Sequence, residues 1–303
     1  MRWQYKALLQ RLFSIVPRGE QLNYLFQRYV TRSQPVGERE FSRNIANAKQ
    51  HLEHLRHYTT RPILGATLYE FGAGSDLLTP LVFHACGVSH QVIVDIRALA
   101  RWRLVNTTLR DLQRLGPRFS LPIEAQSLPL IKSRKQLGNF LRSNFGIEYL
   151  APCDARHTGL ASGSIDYITS TYTLEHIPSE TIRDILGECR RLLRQGGIMS
   201  FLVDYQDHYC YFDSNISAYN FLQYSDRVWS RYNPSLHYQN RLRHRDYLEL
   251  YRDAGFIVLH EQRREGEAAD HEVLGRLPLD TRFQTYPREE LAVRSAWVVL
   301  QKG

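Results

Sequence analysis

Leu68-Tyr69-Glu70-Phe71-Gly72-Ala73-Gly74-Ser75, followed by Val92-Ile93-Val94-Asp95, reads as a buried strand entering a glycine turn, then a second strand ending in a carboxylate. Gly72 and Gly74 let the backbone approach a ligand where a Cβ would collide. Asp95, about 20 residues on, stands where an acidic group accepts hydrogen bonds from ribose hydroxyls. The pattern points to a nucleoside-containing cofactor. A dinucleotide site usually adds a third glycine three residues after the second, so that a helix packs closely under a pyrophosphate. That position is Leu77, and Ser75-Asp76 sets an anionic side chain beside the turn. A cofactor without phosphate fits better. Alone, a Gly-x-Gly turn is as compatible with a purely structural role, so the segments around it decide.

Residues 98–115 form an amphipathic stretch, followed by a long irregular region. Ile147-Glu148-Tyr149-Leu150 reads as a short third strand ending before Asp154-Ala155. Ser162-Gly163-Ser164 is turn chemistry, and Ile165-Asp166-Tyr167-Ile168-Thr169-Ser170 a fourth strand. Pro178 suits a first helical turn, and Ile182, Ile185, Leu186, Cys189, Leu192 and Leu193 recur at helical spacing. Gly196-Gly197 is expected to stop that helix, and the apolar run 198–203 marks a fully buried strand. Residues 256–259 and 296–300 read as two closing strands. Apolar strands alternating with helices give an α/β fold, a mostly parallel sheet with helices on both faces. Ligands of such sheets bind at the carboxyl ends of the strands. Residues 70–74, Asp95, Asp154, Ser170 and Asp204 all fall on that rim.

In this order the motifs resemble the class I S-adenosylmethionine-dependent methyltransferases, close to the group built around a methyltransferase type 11 domain. The matching residues are Glu70-Phe71-Gly72-Ala73-Gly74, Asp95, Asp154-Ala155, Ser164-Ile165-Asp166-Tyr167, Leu174-Glu175-His176-Ile177 and Leu192-Leu193-Arg194-Gln195-Gly196-Gly197. The resemblance covers roughly residues 65–204 and, more loosely, 245–303. It implies a Rossmann-like, seven-stranded, mostly parallel sheet and S-adenosyl-L-methionine as cofactor. The cofactor-binding set it implies is Glu70, Gly72, Ala73, Gly74, Asp95, Ile96, Asp154, Ala155 and Thr171. Gly72 and Gly74 would line the methionine and ribose part, Asp95 would hold the ribose hydroxyls, and Asp154-Ala155 would flank the adenine.

The 303 residues accommodate one large domain with an appendage. No run of 18 apolar residues exists to span a membrane, and the interrupted apolar start makes a poor signal peptide. Cys86, Cys153, Cys189 and Cys210 lack metal-ligand spacing and read as reduced thiols of a cytoplasmic protein. The net charge is +8, and residues 1–60 hold ten Lys/Arg against four Asp/Glu. With Leu8, Leu9, Leu12, Phe13 and Val16 on one face, this region reads as a basic amphipathic helical extension. It could cap the cofactor site, touch a membrane surface through its basic flanks, or meet RNA or another acidic partner. A first insertion is expected at about 116–146, loop-like over 117–129 and then a basic helix over 131–145. His51, His54 and His57 lie three apart. Steps of three drift about 60° around a helix, too splayed for a shared metal, so these histidines are expected to face water.

Methyl transfer from a sulfonium is a displacement in which positioning supplies much of the rate, and a hydroxyl acceptor also needs a base. The candidates at the ends of strands four and five are Ser170, Tyr172, Glu175, His176, Asp204, Asp207 and His208. His208 is the preferred base, with His176 and Asp207 beside it in the candidate catalytic set. His176 could equally be a packing residue near the cofactor's sulfur. Between 205 and 245 aromatics and arginines interleave, and this second insertion reads as a lid. Its candidate substrate-binding residues are Tyr209, His237, Tyr238, Asn240 and Arg241, although most lid aromatics are expected simply to pack it onto the sheet. The expected acceptor is a small molecule or glycan-like hydroxyl compound. RNA methylation and a non-catalytic cofactor-binding module are the rival readings, and the oligomeric state is left open.

Overall fold

The computed structural model describes residues 2–16, 19, 22, 35–121 and 130–303. Its centre is a seven-stranded sheet in the order β3-β2-β1-β4-β5-β7-β6. The strands are β1 Thr67–Phe71, β2 His90–Val94, β3 Ile147–Leu150, β4 Ile165–Thr171, β5 Leu193–Asp204, β6 Phe256–Arg264 and β7 Ser295–Lys302. The first five are parallel, and β7 pairs antiparallel with both β5 and β6. Chain direction therefore brings the ends of β1, β2, β4 and β5 to one edge, where the order reverses between β1 and β4. Hydrogen bonds extend that alignment past the strands: Gly72 N–H donates to Val94 O at 3.0 Å, Asp95 N–H to Leu150 O at 3.2 Å, and Tyr172 N–H to Leu202 O at 2.8 Å.

Both faces of β4 and of residues 198–204 of β5 are buried, which is why the run 198–203 is apolar without alternation but for Ser200. On one face, helix α1 (Trp3–Ile15) is followed by α2 (Glu38–His57), which buries Phe41, Ile45, Ala48, Leu52 and Leu55 against the sheet together with α3 (Leu78–Ala85). Helix α4 (Trp102–Leu115) and α5 (Arg134–Phe145) follow β2, and α6 (Ser179–Leu192) packs Ile182, Ile185, Leu186 and Cys189 against the other face. Gly196-Gly197 does not end α6. The helix stops at Leu192, and both glycines lie inside β5, where Gly196 takes φ +76°.

Two further sequence expectations change here. In α1 the buried residues are Trp3, Lys6, Ala7 and Gln10, while Leu8 and Leu12 face outward. The indole of Trp3 anchors the helix among Tyr209, Tyr224, Trp229 and Tyr232, and this turns the other face to solvent. His51 and His54 do not face water either. Both are buried, and their Nδ1 atoms meet Ser200 Oγ at 2.9 and 3.0 Å; burial, more than the charge of neighbouring histidines, lowers them to about 3 and 4. Only His57 of the three is exposed. The loop expected over 117–129 lies outside the described residues from 122 onward, and its first part is a short 3-10 turn, Gly116–Phe119.

Residues 205–245 fold as a succession of short turns with a core of their own. Tyr209, Tyr219, Phe221 and Trp229 pack with Trp3, Ala7, Leu274, Phe283, Leu291 and Ala292. Two buried arginines staple this layer by donating to backbone carbonyls: Arg241 to Phe221 and Tyr224, and Arg243 to Tyr205, Leu291 and Val293. The lid is thus a packed layer over the edge of the sheet.

Candidate active site

A cavity of about 640 Å³ opens along the carboxyl edge of the sheet. One end is lined by Gly72, Gly74, Thr173, Asp95, Ile96, Asp154 and Ala155, the other by Tyr172, His176, His208, His237 and Tyr238; Ile177, Thr181 and Ile185 also line it. Its volume falls within the range of about 300–1,000 Å³ usual for small-molecule sites.

The first end is built from backbone. Gly72 has φ +79° and Gly74 φ +78°, a region that L side chains rarely adopt. A Cβ on Gly72 would strike the Thr173 side chain, whose hydroxyl donates to Gly72 O at 3.2 Å, whereas a Cβ on Gly74 would meet open space. Gly72 therefore lets strand ends β1 and β4 come together, and Gly74 keeps the turn open to the cavity. Asp95 is buried at the end of β2. Tyr149 donates to its carboxylate at 3.2 Å, and Tyr149 in turn accepts from Ala100 N–H at 3.1 Å. Burial outweighs that hydrogen bond and pushes Asp95 up to about 7. Glu70, one strand over, is raised to about 8 by burial and by the charge of Asp95.

Several residues of this end sit differently from expectation. Glu70 does not line the cavity but lies 1 % exposed beneath it, with Oε2 unpartnered. Ala73 packs against the core, and the Thr171 hydroxyl is engaged by His51 at 2.9 Å. Their places at the lining fall to Tyr172 and Thr173, which the sequence reading left out of the cofactor set. Asp154 is at the wall, but Arg156 clasps both its carboxylate oxygens at 2.7–3.1 Å. Ile96, 60 % exposed, offers an apolar surface beside Asp95.

The second end is built from side chains on separate elements. Tyr172 follows β4 with φ +51°, an unusual conformation for a bulky residue. Glu175 and His176 follow on a short 3-10 turn, Leu174–His176. The ring of His176 opens to the cavity, and its Nδ1 lies 2.7 Å from Tyr238 O, so this nitrogen carries the proton. Burial and then the facing His208 lower His176 to about 4. The rings of His176 and His208 meet edge to face at 4.9 Å. His208 Nε2 stands 3.4 Å from Asp204 Oδ2. Burial alone would raise Asp204, but His208 together with donation from Tyr211 and Gln206 holds it below the usual carboxylate range. Both carboxylate oxygens of Glu175 are buried without a hydrogen-bond partner, and burial followed by the charge of Asp204 raises its pKa well above the usual value.

His237 and Tyr238 line this end; four other candidates do not. Asp207 is fully buried, accepting from Tyr209 N–H and Asn220 Nδ2 at 2.8 Å each; it caps the turn that carries His208 while its own side chain points away. Tyr209 is buried and donates to Tyr232 O at 2.7 Å. Asn240 fastens the lid to the loop after β4, donating from Nδ2 to Leu174 O and Ile177 O at 2.8 Å. Arg241 is consumed by carbonyls and Asp226 on a separate small cleft. Each is a polar residue of the lid, yet each turns inward to satisfy a buried backbone group.

Residues 123–201 match the family model described as a methyltransferase domain. Over that stretch the chain is similar to a methyltransferase domain. The match spans β3, β4, α6 and the first part of β5, and the glycine turn and Asp95 lie upstream of it. Methyltransferase domains of this kind take S-adenosylmethionine as cofactor. Among solved structures, the chain is similar to a geranyl diphosphate methyltransferase in complex with SAM (14 % identity, 89 % of this chain and 93 % of that one, TM-score 0.45). It is also similar to geranyl diphosphate C-methyltransferase from Streptomyces coelicolor A3(2) (13 %, 89 % and 86 %, 0.47). A third is a SAM-dependent methyltransferase from Methanosarcina mazei (12 %, 82 % and 96 %, 0.48). No curated protein matches the chain.

The first end fits the cofactor on its own chemistry. A buried carboxylate at Asp95 suits a pair of ribose hydroxyls, and the apolar face of Ile96 with Ala155 suits a purine ring. No helix of the described residues is long and apolar enough to cross a membrane.

Proposed function

We propose that the protein transfers a methyl group from S-adenosylmethionine to a hydroxyl oxygen of a small-molecule or glycan-like acceptor. The observation that carries this reading is the continuity of one cavity, from Gly74 and Asp95 at one end to His176 and His208 at the other. Bound S-adenosylmethionine supplies an electrophilic methyl group on a sulfonium. The chain's own residues do the rest. Asp95 accepts from the ribose hydroxyls, Ile96 and Ala155 flank the base, and Gly74 leaves room for the methionine part. Ile177, Thr181 and Ile185 add to the wall of the cavity.

His208 takes the acceptor's proton, with Asp204 beside it to stabilise the resulting imidazolium. His176, held by Tyr238 O, presents its unprotonated nitrogen as a hydrogen-bond acceptor that orients the hydroxyl. The lid of Ser235, Leu236, His237 and Tyr238 lies against the cavity, an enclosure that favours a small acceptor over a folded nucleic acid. A screen of hydroxylated small molecules and glycosides with labelled methyl donor tests the reading. Labelled ether products support it; transfer confined to RNA would replace it.

A further inference from the structure

The groups at the acceptor end are not fully explained by proton transfer. Glu175, His176 and His208 each offer a ligand atom, and these atoms all lie within 4.8 Å of one another. Glu175 is 3 % exposed, and neither of its carboxylate oxygens has a hydrogen-bond partner. Burying such a group unpaired is costly, and the mechanism above leaves it idle. His208 Nε2 also makes no hydrogen bond, with Asp204 Oδ2 3.4 Å away. The third group carries a separate mark. His176 uses Nδ1 to meet the Tyr238 carbonyl at 2.7 Å, which fixes its tautomer and leaves the Nε2 lone pair free. A backbone carbonyl holding one ring nitrogen is the usual support of a metal-bound histidine.

We infer that Glu175, His176 and His208 form a binding site for a divalent first-row transition ion at the acceptor end of the cavity. Two imidazoles and one carboxylate suit zinc, cobalt or iron(II), whereas magnesium and calcium prefer all-oxygen sets. Metal–ligand bonds of about 2.1 Å put opposite ligands no more than about 4.2 Å apart. The three side chains must therefore draw in by roughly half an ångström on binding. Three protein ligands leave open positions, and His176 and His208 line the cavity. The ligand class the ion would take there is an acceptor oxygen, hydroxyl or carboxylate. With the ion in place His208 is a ligand, and a hydroxyl acidified by the ion sheds its proton to water. Lid and sheet meet at this point, since His176 comes from the loop after β4, His208 from the turn after β5 and the Tyr238 carbonyl from the lid.

The test is direct titration of the chelator-stripped full chain with ZnCl2 and CoCl2, read by calorimetry and by the visible absorption of bound Co2+. The expected result is one saturable site, weakened at least about 10-fold in Glu175→Gln and in His208→Ala. His57→Ala, in the separate histidine-lined cleft beside His54 and His260, should leave it unchanged. Glu175→Gln preserves shape, and thermal melts of both variants check the fold. No saturable binding to the wild-type chain overturns the inference, as does binding untouched by both site variants. The inference does not rest on hydroxyl methylation. S-adenosylmethionine binding measured on the same samples separates the two: intact cofactor binding without metal binding sinks this inference alone.

Discussion

The two ends of the cavity are built on different principles. The cofactor end is made of backbone: a turn with positive φ at Gly72 and Gly74, and a carboxylate at the end of β2, all within 30 residues of one another along the chain. The acceptor end is assembled from side chains that meet only after the chain has returned, with His176 docked on a carbonyl 62 residues later. Backbone sites tolerate neighbours and resist changes in their own glycines and acids. Side-chain sites depend on whatever holds each ring in place. The same substitution should therefore act on affinity at one end and on turnover at the other.

The largest expected effect is at the acceptor end. His208→Ala should lower turnover about 10²- to 10⁴-fold with cofactor affinity changed by less than about threefold. Equal loss of cofactor affinity would erase the proposed division of labour. At the cofactor end, Gly72→Ala should weaken S-adenosylmethionine binding at least about 10-fold and lower stability. An alanine at φ +79° costs about 1–2 kcal/mol, and its Cβ meets Thr173. Combining it with Thr173→Ser, which removes the methyl group, should recover part of the binding; no recovery would mean that φ alone is decisive.

Arg241→Ala sharpens the contrast from the lid side. It strips donors from the carbonyls of Phe221 and Tyr224 and should cost of the order of 2 kcal/mol in stability. Cofactor affinity should hold while acceptor KM rises. A thermal melt and a binding isotherm on one sample read both.

A pH series probes the cofactor end without mutation. Glu70 and Asp95 have folded pKa values of about 8 and 7, above those of unfolded carboxylates. The stability from their protonation is fully present below the ordinary carboxylate range and lost as pH rises through 7 to 8. The cofactor-free protein should melt several degrees lower at about pH 9 than at about pH 6, and Asp95→Asn should flatten the slope. A flat wild-type profile would contradict the burial of these two groups as ionisable neighbours. The smallest effect belongs to Arg156→Ala. This half-exposed side chain clasps Asp154 at the cavity wall, and its loss should change cofactor affinity by less than about threefold.

The same contrast explains what could be read in advance. The strand order and the places of Gly72, Gly74, Asp95, Asp154 and Ala155 along the cavity were legible because each rests on short-range rules: apolar runs, turn glycines and the carboxyl edge of a parallel sheet. His176 and His208 were legible as residues following strand ends. Asp207, Tyr209, Asn240 and Arg241 were not, because a polar residue in a lid has two fates, ligand or internal fastener. Which one it takes depends on carbonyls far away in sequence, such as Leu174 O for Asn240 and Phe221 O for Arg241. Thr173 was missed as lining, and Tyr172 was named for chemistry but not for the cofactor set, for a related reason. Their contribution follows from a positive φ and from the close approach of Gly72, neither of which has a composition signature. His51 and His54 looked like surface residues of a polar helix, and partners distant in sequence, Ser200 on β5, Thr171 at the end of β4 and the ring of Trp297 on β7, account for their burial.

The central claim is that the backbone-built end binds S-adenosylmethionine through Asp95. Calorimetric titration of S-adenosylmethionine and S-adenosylhomocysteine into the wild-type chain and into Asp95→Ala tests it most directly. The account expects saturable binding of both by the wild type and a loss of roughly 100-fold in the variant, as removal of two hydrogen bonds to a charged acceptor implies. Wild-type binding that is unchanged in Asp95→Ala, or no wild-type binding of either compound, would contradict it.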